Sequence, residues 1–176
     1  MFDAKMALEG VSVEEKEKAQ QDEYIERGVL MHQMLSLINT VDDVEGAFHQ
    51  MVADGLITKN DRTYLRLKNM LLKSMLTDKR VKSWFDGSYE NFNEKTILTR
   101  EAVQADGKEA DKAKSVLKKQ RADRVLVNQN EAIVIDYKFG KKDRHNDYLE
   151  QVQNYMKLVS ELLGLRTQGY LWYVYD

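Results

Sequence analysis

The stretch RADRVLVNQNEAIVIDYK, residues 121–138, decides how the chain folds, because two apolar segments flank a polar turn. The β-branched residues of both segments favour strands, and the Gln129-Asn130 turn predicts that these strands form an antiparallel hairpin. Asp123 stands as many residues before this turn as Asp136 stands after it, whether the turn comprises two residues or four. The two aspartates are therefore predicted to face each other. A turn of three residues would break this pairing, and the sequence leaves that alternative open.

The hairpin is predicted to gather three charged side chains on one face. Directly opposed residues have Cβ atoms about 5 Å apart, and the two-residue period of a strand places Lys138 on the same face as Asp136. The apolar residues of this face lie nearer the turn: Val125, Val127, Ala132 and Val134. Two carboxylates without a counter-charge repel each other, and a divalent cation such as Mg²⁺ or Mn²⁺ relieves the repulsion. The alternative is a chance Asp-x-Lys triplet in a chain with 32% charged residues.

Composition restricts the classes of protein and site that remain. With 176 residues, 43% of them apolar, the chain fits one globular domain, 1–176. No apolar run reaches the length of a membrane span and the N-terminus lacks the pattern of a signal peptide, so we expect a cytoplasmic protein that does not contact a membrane. The absence of cysteine excludes thiolate metal sites and leaves oxygen and imidazole as ligands. A net charge of −2 requires any binding of nucleic acid to be local.

The predicted secondary structure changes from helices to mainly strands near residue 90. Residues 1–88 predict a cluster of four helices. Three of these helices follow capping boxes: Ser12 with Glu15, Thr40 with Asp43, and Thr58 with Asp61. Residues 89–176 predict the sheet core, with strands at 95–103 and 169–176 and a helix that ends at Gly164. The polar segment 105–120 is predicted to be a surface insertion.

The chain resembles the PD-(D/E)XK nuclease domain of RecB and AddA type helicase–nucleases in four segments that occur in the family's order: RGVLMH, RADRV, IVIDYKFG and YLEQVQNY. The resemblance covers roughly residues 26–175. It implies an α/β domain with a restriction-endonuclease-like αβββαβ core and an N-terminal helical cluster. It also implies metal-dependent hydrolysis of DNA phosphodiester bonds, of the exonuclease type, in recombinational DNA repair. The departures are modest: Asp136 replaces the more usual glutamate, Ala122 replaces a proline, and the insertion is long.

The resemblance assigns roles to residues in each motif. The catalytic residues of the family correspond to Asp123, Asp136 and Lys138. Its ligands for Mg²⁺ or Mn²⁺ correspond to His32, Asp123, Asp136 and the backbone carbonyl of Tyr137. Gln151 and Tyr155, which lie one helical turn apart, match the family's Q-x-x-x-Y motif beside the substrate.

Further residues have both a functional and an ordinary interpretation. Basic residues after the D-x-K motif either hold the phosphate backbone of DNA or form a solvated loop: Lys141, Lys142 and Arg144. Glu101 is either a further ligand of the metal or its water, or an exposed strand residue. Gly28 precedes His32 by one helical turn, which predicts a close approach of this helix face to another backbone.

No G-x-x-x-x-G-K-[ST] loop of an ATP motor occurs in the sequence. The resemblance therefore implies a C-terminal nuclease domain of a longer, UvrD-like helicase. Its expected partners are DNA, the helicase domains of the parent chain and a second helicase–nuclease subunit. The alternative is a catalytically inactive nuclease-fold domain that serves as a scaffold for DNA or for a protein partner.

Overall fold

Helices dominate the first half of the chain. The computed structural model describes residues 13–103, 114–139 and 145–174. Helices α1 to α4 precede the sheet: Val13–Ser36, Val44–Ala53, Arg62–Thr77 and Lys79–Trp84. A short 3₁₀ turn, Val41–Asp43, leads into α2. The predicted helical cluster is confirmed.

The second half of the chain forms a mixed four-stranded sheet and a separate two-stranded sheet. Its elements are β1 Glu90–Asn93, β2 Thr96–Val103, β3 Lys114–Arg121, β4 Arg124–Val127, β5 Glu131–Phe139, α5 His145–Leu163 and β6 Arg166–Val174. The larger sheet has the strand order β1-β4-β5-β6, in which β1, β4 and β5 are antiparallel and β6 runs parallel to β5. Helix α5 forms the crossover that a parallel pair requires. β2 pairs with β3 to form the smaller sheet.

The hairpin of β4 and β5 has the predicted register. The Cα pairs of the two strands are those expected for a turn of two or four residues. The Asn128 N–H donates to the Glu131 carbonyl at 3.0 Å, which closes the turn around the two residues between them. This register excludes the three-residue turn and brings Asp123 and Asp136 to the same end of the hairpin. The predicted pair of facing aspartates does not form, because β4 begins at Arg124 and Asp123 lies outside the ladder.

The four-stranded sheet has a hydrophobic core on each face. Alternation along β5 sends Ile133, Ile135 and Tyr137 into the core formed with α1 to α4, and Ala132 and Val134 into the core formed with α5. The chain is therefore a mixed α/β protein with helices on both faces of its main sheet. Among the described helices, none combines the length and the apolar character that crossing a lipid bilayer requires.

The predicted helix boundaries are confirmed with one exception. Thr40 and Asp43 form a capping box, in which the Asp43 carboxylate accepts from the Thr40 N–H at 2.8 Å. Gly164 ends α5 with a φ of 67°, a left-handed conformation that glycine adopts without strain. The prediction for α3 is wrong in one detail, because Asp61 rather than Thr58 is the residue that caps it. The first predicted capping box begins outside the described residues.

Two other expectations are wrong. The predicted insertion at 105–120 contains regular structure, since Lys114–Arg121 forms β3 and pairs with β2. Gly28 does not allow a close approach to another backbone, because a Cβ at that position would meet no atom within 4 Å. A close contact occurs instead at Gly169 in β6, where a Cβ would collide with the side chains of Met156 and Val152 of α5.

A buried guanidinium joins α1 to the sheet. Arg124, the first residue of β4, is fully buried, and its Nη2 donates to the carbonyl of Ile38 just beyond α1. Its Nε lies 3.1 Å from the side-chain oxygens of both Asn91 and Asn93 in β1, and its guanidinium lies 4.1 Å from the centre of the Phe85 ring. Burial lowers the pKa of Arg124. The acceptors and the aromatic ring offset the cost of burying this charge.

We expect Arg124→Met to lower the free energy of unfolding by about 2–5 kcal/mol, because the carbonyl of Ile38 and the two asparagine oxygens lose a buried donor. Chemical unfolding by urea measures the loss. Arg62→Met is the matched control, since Arg62 is exposed in the first turn of α3 and its replacement should change stability by about 0.5 kcal/mol or less. Equal losses in the two variants would contradict the structural role of Arg124.

Candidate metal centre

Asp123 lies in the bend before β4. Its carboxylate accepts a hydrogen bond from the backbone of β5 that a neighbouring strand would otherwise accept. The Tyr137 N–H donates to Oδ2 of Asp123 at 2.7 Å, and the Asp123 carbonyl accepts from the Glu94 N–H at 2.8 Å. Because β4 begins only at Arg124, residues 136–139 of β5 extend beyond it. The N–H and C=O groups of a strand residue point to the same side, so the Tyr137 carbonyl also faces this gap.

Asp136 and Lys138 form an ion pair on the face of β5 that α5 covers. The Asp136 side chain is 3% exposed and the Lys138 side chain is 18% exposed. The Lys138 Nζ contacts Oδ2 of Asp136 and lies 4.4 Å from the centre of the Tyr148 ring in α5. The ammonium group of Lys138 therefore neutralises part of the charge at this site, while the nearby Asp123 carboxylate adds a second negative charge. A buried pair of carboxylates with one ammonium group would be stabilised further by a metal cation.

The two aspartates change each other's proton affinity. Burial, and after it the charge of Asp123, raises the pKa of Asp136 to about 6, and Lys138 offsets this only in part. Burial also raises the pKa of Asp123, but interactions with His32 and with the Tyr137 N–H outweigh burial and hold that pKa below its usual range. Carboxylates that share a site titrate in this way, with one proton held more tightly than the other.

His32 approaches Asp123 from α1, on the face of the sheet opposite to Asp136. Its Nδ1 lies 3.3 Å from Oδ1 of Asp123. The imidazole ring packs edge-on against the Phe139 ring, with centroids 5.3 Å apart, and lies 6.1 Å from the Tyr137 ring. These contacts orient the imidazole, and its 30% exposure leaves it accessible from solvent.

Glu94 completes a group of potential metal ligands, although it belongs to none of the predicted motifs. Its Oε1 lies 3.9 Å from Nδ1 of His32, and its Oε2 lies 2.9 Å from Nε of Arg121. One ligand atom from each of His32, Glu94 and Asp123 lies within 4.8 Å of the other two. Burial and the charge of Asp123 raise the pKa of Glu94, while Arg121 and His32 oppose the rise. Asp136 is outside this group, so Asp123 is the residue that links the two halves of the site.

An open cleft gives solvent access to the His32 side of the site. Its volume is about 420 Å³. Four of its residues recur along one face of α1, and three surround the start of the hairpin: Val29, His32, Gln33, Ser36, Glu94, Arg121 and Asp123. A phosphate group that entered this cleft would meet the Arg121 guanidinium, whose side chain is 61% exposed.

Helix α5 contributes a polar contact at the edge of the second core. The Gln151 Nε2 donates to the Tyr155 hydroxyl at 2.9 Å. Tyr155 is 5% exposed and packs with the apolar residues of the sheet, whereas Gln151 is only half-buried. The structure thus joins the two predicted residues and leaves Gln151 as the more accessible one.

The predicted site residues that the structure describes lie around the open end of the hairpin or on α5. Lys141, Lys142 and Arg144 lie outside the described residues. Glu101 lies in β2 opposite Val116, and its side chain is outside the described part of the chain.

Three residues of the site were absent from the sequence-based prediction: Glu94, Arg121 and Tyr148. Tyr148 could have been found, because it lies three residues before Gln151 and seven before Tyr155, a helical spacing that places all three on one face. Glu94 gives no such signal, since it is an isolated acidic residue in the turn after β1. Arg121 was part of the quoted hairpin, but its ion pair with Glu94 depends on a contact that no sequence period predicts.

Comparisons with known proteins leave the function to be argued from this geometry. No protein-family model matches the chain, and no curated protein matches it. Among solved structures, the crystal structure of SSO0001 is similar over 82% of this chain and 61% of that chain, with a TM-score of 0.39 and 18% sequence identity. The chain thus spans about three-fifths of the length of that protein.

The raised pKa of Asp136 predicts how the stability of the metal-free protein depends on pH. In the unfolded chain this carboxyl ionises near pH 4, and in the folded protein near pH 6, so its contribution to stability is present below about pH 4 and is lost as the pH rises through 6. Asp136→Asn removes this loss. Between about pH 4.5 and pH 8, the free energy of unfolding of the variant should rise relative to wild type by roughly 1–3 kcal/mol.

Urea unfolding in the presence of a chelator measures this difference. Asp22→Asn is the control, because Asp22 is exposed on α1 and the difference from wild type should be nearly independent of pH. A difference for Asp136→Asn that stays constant over the same range would contradict the burial of an ionisable Asp136.

Proposed function

We propose that this chain is a metal-dependent deoxyribonuclease that hydrolyses DNA phosphodiester bonds, of the exonuclease type, in recombinational DNA repair. The observation that carries the proposal is the joint position of Asp123, Asp136 and Lys138 where β5 extends beyond β4. The order of elements also supports it. A helix, three antiparallel strands, a second helix and a parallel strand are the parts of the restriction-endonuclease-like αβββαβ core that the resemblance implies.

The donor set fits a hard divalent cation. Carboxylates from Asp123 and Asp136 and the Tyr137 carbonyl supply the oxygen ligands that Mg²⁺ and Mn²⁺ prefer. The His32 imidazole adds a nitrogen ligand, which Mn²⁺ accepts more readily than Mg²⁺. The Asp136 carboxylate is buried beside that of Asp123, and Lys138 offsets their repulsion only in part, which supports a cation at this point. When bound, such a cation would polarise the scissile phosphate and lower the pKa of water.

Lys138 is proposed to act on the attacking water or on the charge that develops at the phosphate. Asp136 and the Tyr148 ring both contact its ammonium group, which restricts the positions open to this long side chain. A positioned ammonium stabilises negative charge in the transition state more than it stabilises the substrate. The 18% exposure of Lys138 leaves part of this side chain accessible.

Substrate contacts are proposed for residues of α5 and for basic residues that follow the D-x-K motif in the sequence. Gln151 is placed to bind a phosphate or a base, with Tyr155 holding its amide. Lys141, Lys142 and Arg144 keep their proposed role in binding the DNA backbone. The helicase domains of a parent chain and a second helicase–nuclease subunit are the further proposed partners.

The second candidate function is a nuclease-fold scaffold that binds DNA or a protein without cutting it. The ion pair of Asp136 with Lys138 is the observation that favours it, because a buried pair can serve a structural role alone. The two candidates differ in the effect of removing Lys138 on cleavage.

We expect Lys138→Ala to reduce Mg²⁺-dependent cleavage of linear DNA by about 10²-fold or more, because the ammonium acts only where charge develops. End-labelled single- and double-stranded DNA, with Mg²⁺ or chelator, reports cleavage, and a gel-shift assay reports binding. Lys157→Ala, which removes an exposed lysine of α5, is the matched control and should cut like wild type. Equal cleavage by Lys138→Ala and wild type would reject the assignment, and DNA binding without cleavage by wild type would favour the scaffold.

A further inference from the structure

Glu94 is the acidic residue of the site that the nuclease proposal leaves without a role. It follows the last residue of β1, and its backbone has a φ of 53°, the left-handed region that a residue other than glycine rarely adopts. Its N–H is occupied by the Asp123 carbonyl, which fixes this conformation. The chain therefore holds a glutamate where glycine would be easier to accommodate, and the side chain is directed at His32 and Arg121.

The two carboxylate oxygens of Asp123 serve different neighbours. Oδ1 lies 3.3 Å from Nδ1 of His32, on the side of the sheet where Glu94 stands. Oδ2 accepts from the Tyr137 N–H, next to Asp136 in the chain. Asp123 thus stands between two sets of potential ligands that lie on different faces of β5.

The charges on these sets favour additional positive charge. Three carboxylates, those of Glu94, Asp123 and Asp136, stand beside two permanent cations, Lys138 and Arg121. The Asp136 side chain is 3% exposed and Lys138 contacts its Oδ2, and the charge of the same ammonium group also acts on Asp123. One ammonium group therefore serves two carboxylates at this end of the cluster, so that carboxylates outnumber permanent cations around Asp123.

We propose that Glu94 is a metal ligand, which with His32 and Asp123 forms a second divalent-cation position beside the one at Asp123 and Asp136. The proposal rests on the metal-dependent function proposed above and extends it: the ligand set is divided over two adjacent positions, and Asp123 belongs to both. Mixed carboxylate and imidazole ligands suit Mn²⁺. A pair of cations that shares a carboxylate is an arrangement able to contact both the attacking and the leaving oxygen of a phosphodiester.

Arg121 orients the Glu94 carboxylate in this arrangement. Its Nε is bound to Oε2 of Glu94, which leaves Oε1 as the oxygen nearest to His32. The ion pair therefore holds the Glu94 carboxylate with one oxygen turned toward the cluster. Since the Arg121 side chain is 61% exposed, the pair also stands at the entrance of the cleft.

The number of Mn²⁺ ions bound per chain tests the proposal without reference to cleavage. Calorimetric titration, supported by the electron paramagnetic resonance signal of free Mn²⁺, should give two sites in the wild-type chain. Glu94→Gln should lose one site or weaken it by about tenfold or more, because one charged ligand is removed. Glu90→Gln, an exposed glutamate on β1, is the matched control and should bind as wild type does.

Glu94→Gly separates the loss of a ligand from the loss of the fold. Glycine adopts the left-handed backbone without strain, so this variant should be at least as stable as wild type in the presence of a chelator, yet it should also lose one Mn²⁺ site. Wild-type stoichiometry of one, or unchanged Mn²⁺ binding in both Glu94 variants, would overturn the second position. A protein that binds two Mn²⁺ ions but fails to cut DNA would retain this inference and reject the nuclease proposal alone.

Discussion

The placement of the site depends on one buried charge. Arg124 reaches from the first residue of β4 to the carbonyl that follows α1, and the same guanidinium binds the two asparagines of β1. A helix ends with carbonyl groups that have no partner within the helix, so a buried donor at this point fixes the helix to the sheet. Asp123 is the residue before Arg124, and His32 lies on the helix that Arg124 holds. One side chain therefore sets the distance between a carboxylate and an imidazole that are distant in sequence.

The late start of β4, at Arg124 rather than at Asp123, is the second constraint. If the strand extended one pair further, Asp123 would be an ordinary ladder residue and its backbone would bind β5. Instead the chain bends, and the Asp123 side chain accepts the Tyr137 N–H. Because a side chain replaces a strand at this point, the end of β5 stays open beside Asp123. Groups from both faces of the sheet can therefore converge there. Lys138 comes from the face under α5, whereas His32 comes from the face under α1.

Much of the fold could be predicted from the sequence because short-range rules determine it. The hairpin register follows from the period of two residues and from the length of the turn, which is why both aspartates could be assigned to the open end of the hairpin. Their predicted pairing was wrong, because β4 begins at Arg124 and the Asp123 carboxylate binds the Tyr137 N–H instead. The end of α5 at Gly164 follows from the ability of glycine to adopt a positive φ without strain. The error at Thr58 arose because Asp61, three residues later, can cap the helix by itself, and spacing alone does not distinguish these roles.

Less of the candidate site could be predicted, because its remaining contacts are long-range. The strand at Lys114–Arg121 was read as a polar insertion, since its charged residues hide the alternation that signals a strand, and its partner β2 supplies the pairing. Glu94 follows β1 and Arg121 is the last residue of β3, and these strands belong to different sheets. The contact between the two residues therefore depends on how the sheets are placed relative to each other. Motif spacing identifies residues along one element, but it does not identify a residue that a neighbouring turn brings into the same space.

A purely structural role for the charged cluster explains less of its geometry than a cation does. In a structural ion-pair network the buried charges are expected to balance, because an uncompensated buried charge is costly. The Asp136 carboxylate departs from this pattern, since it is buried beside that of Asp123 and Lys138 supplies a single positive charge to both. The aspartates therefore oppose each other, as the raised pKa of Asp136 indicates. Protonation relieves this repulsion only near the acid end of the physiological range, whereas a divalent cation between the carboxylates would relieve it at neutral pH.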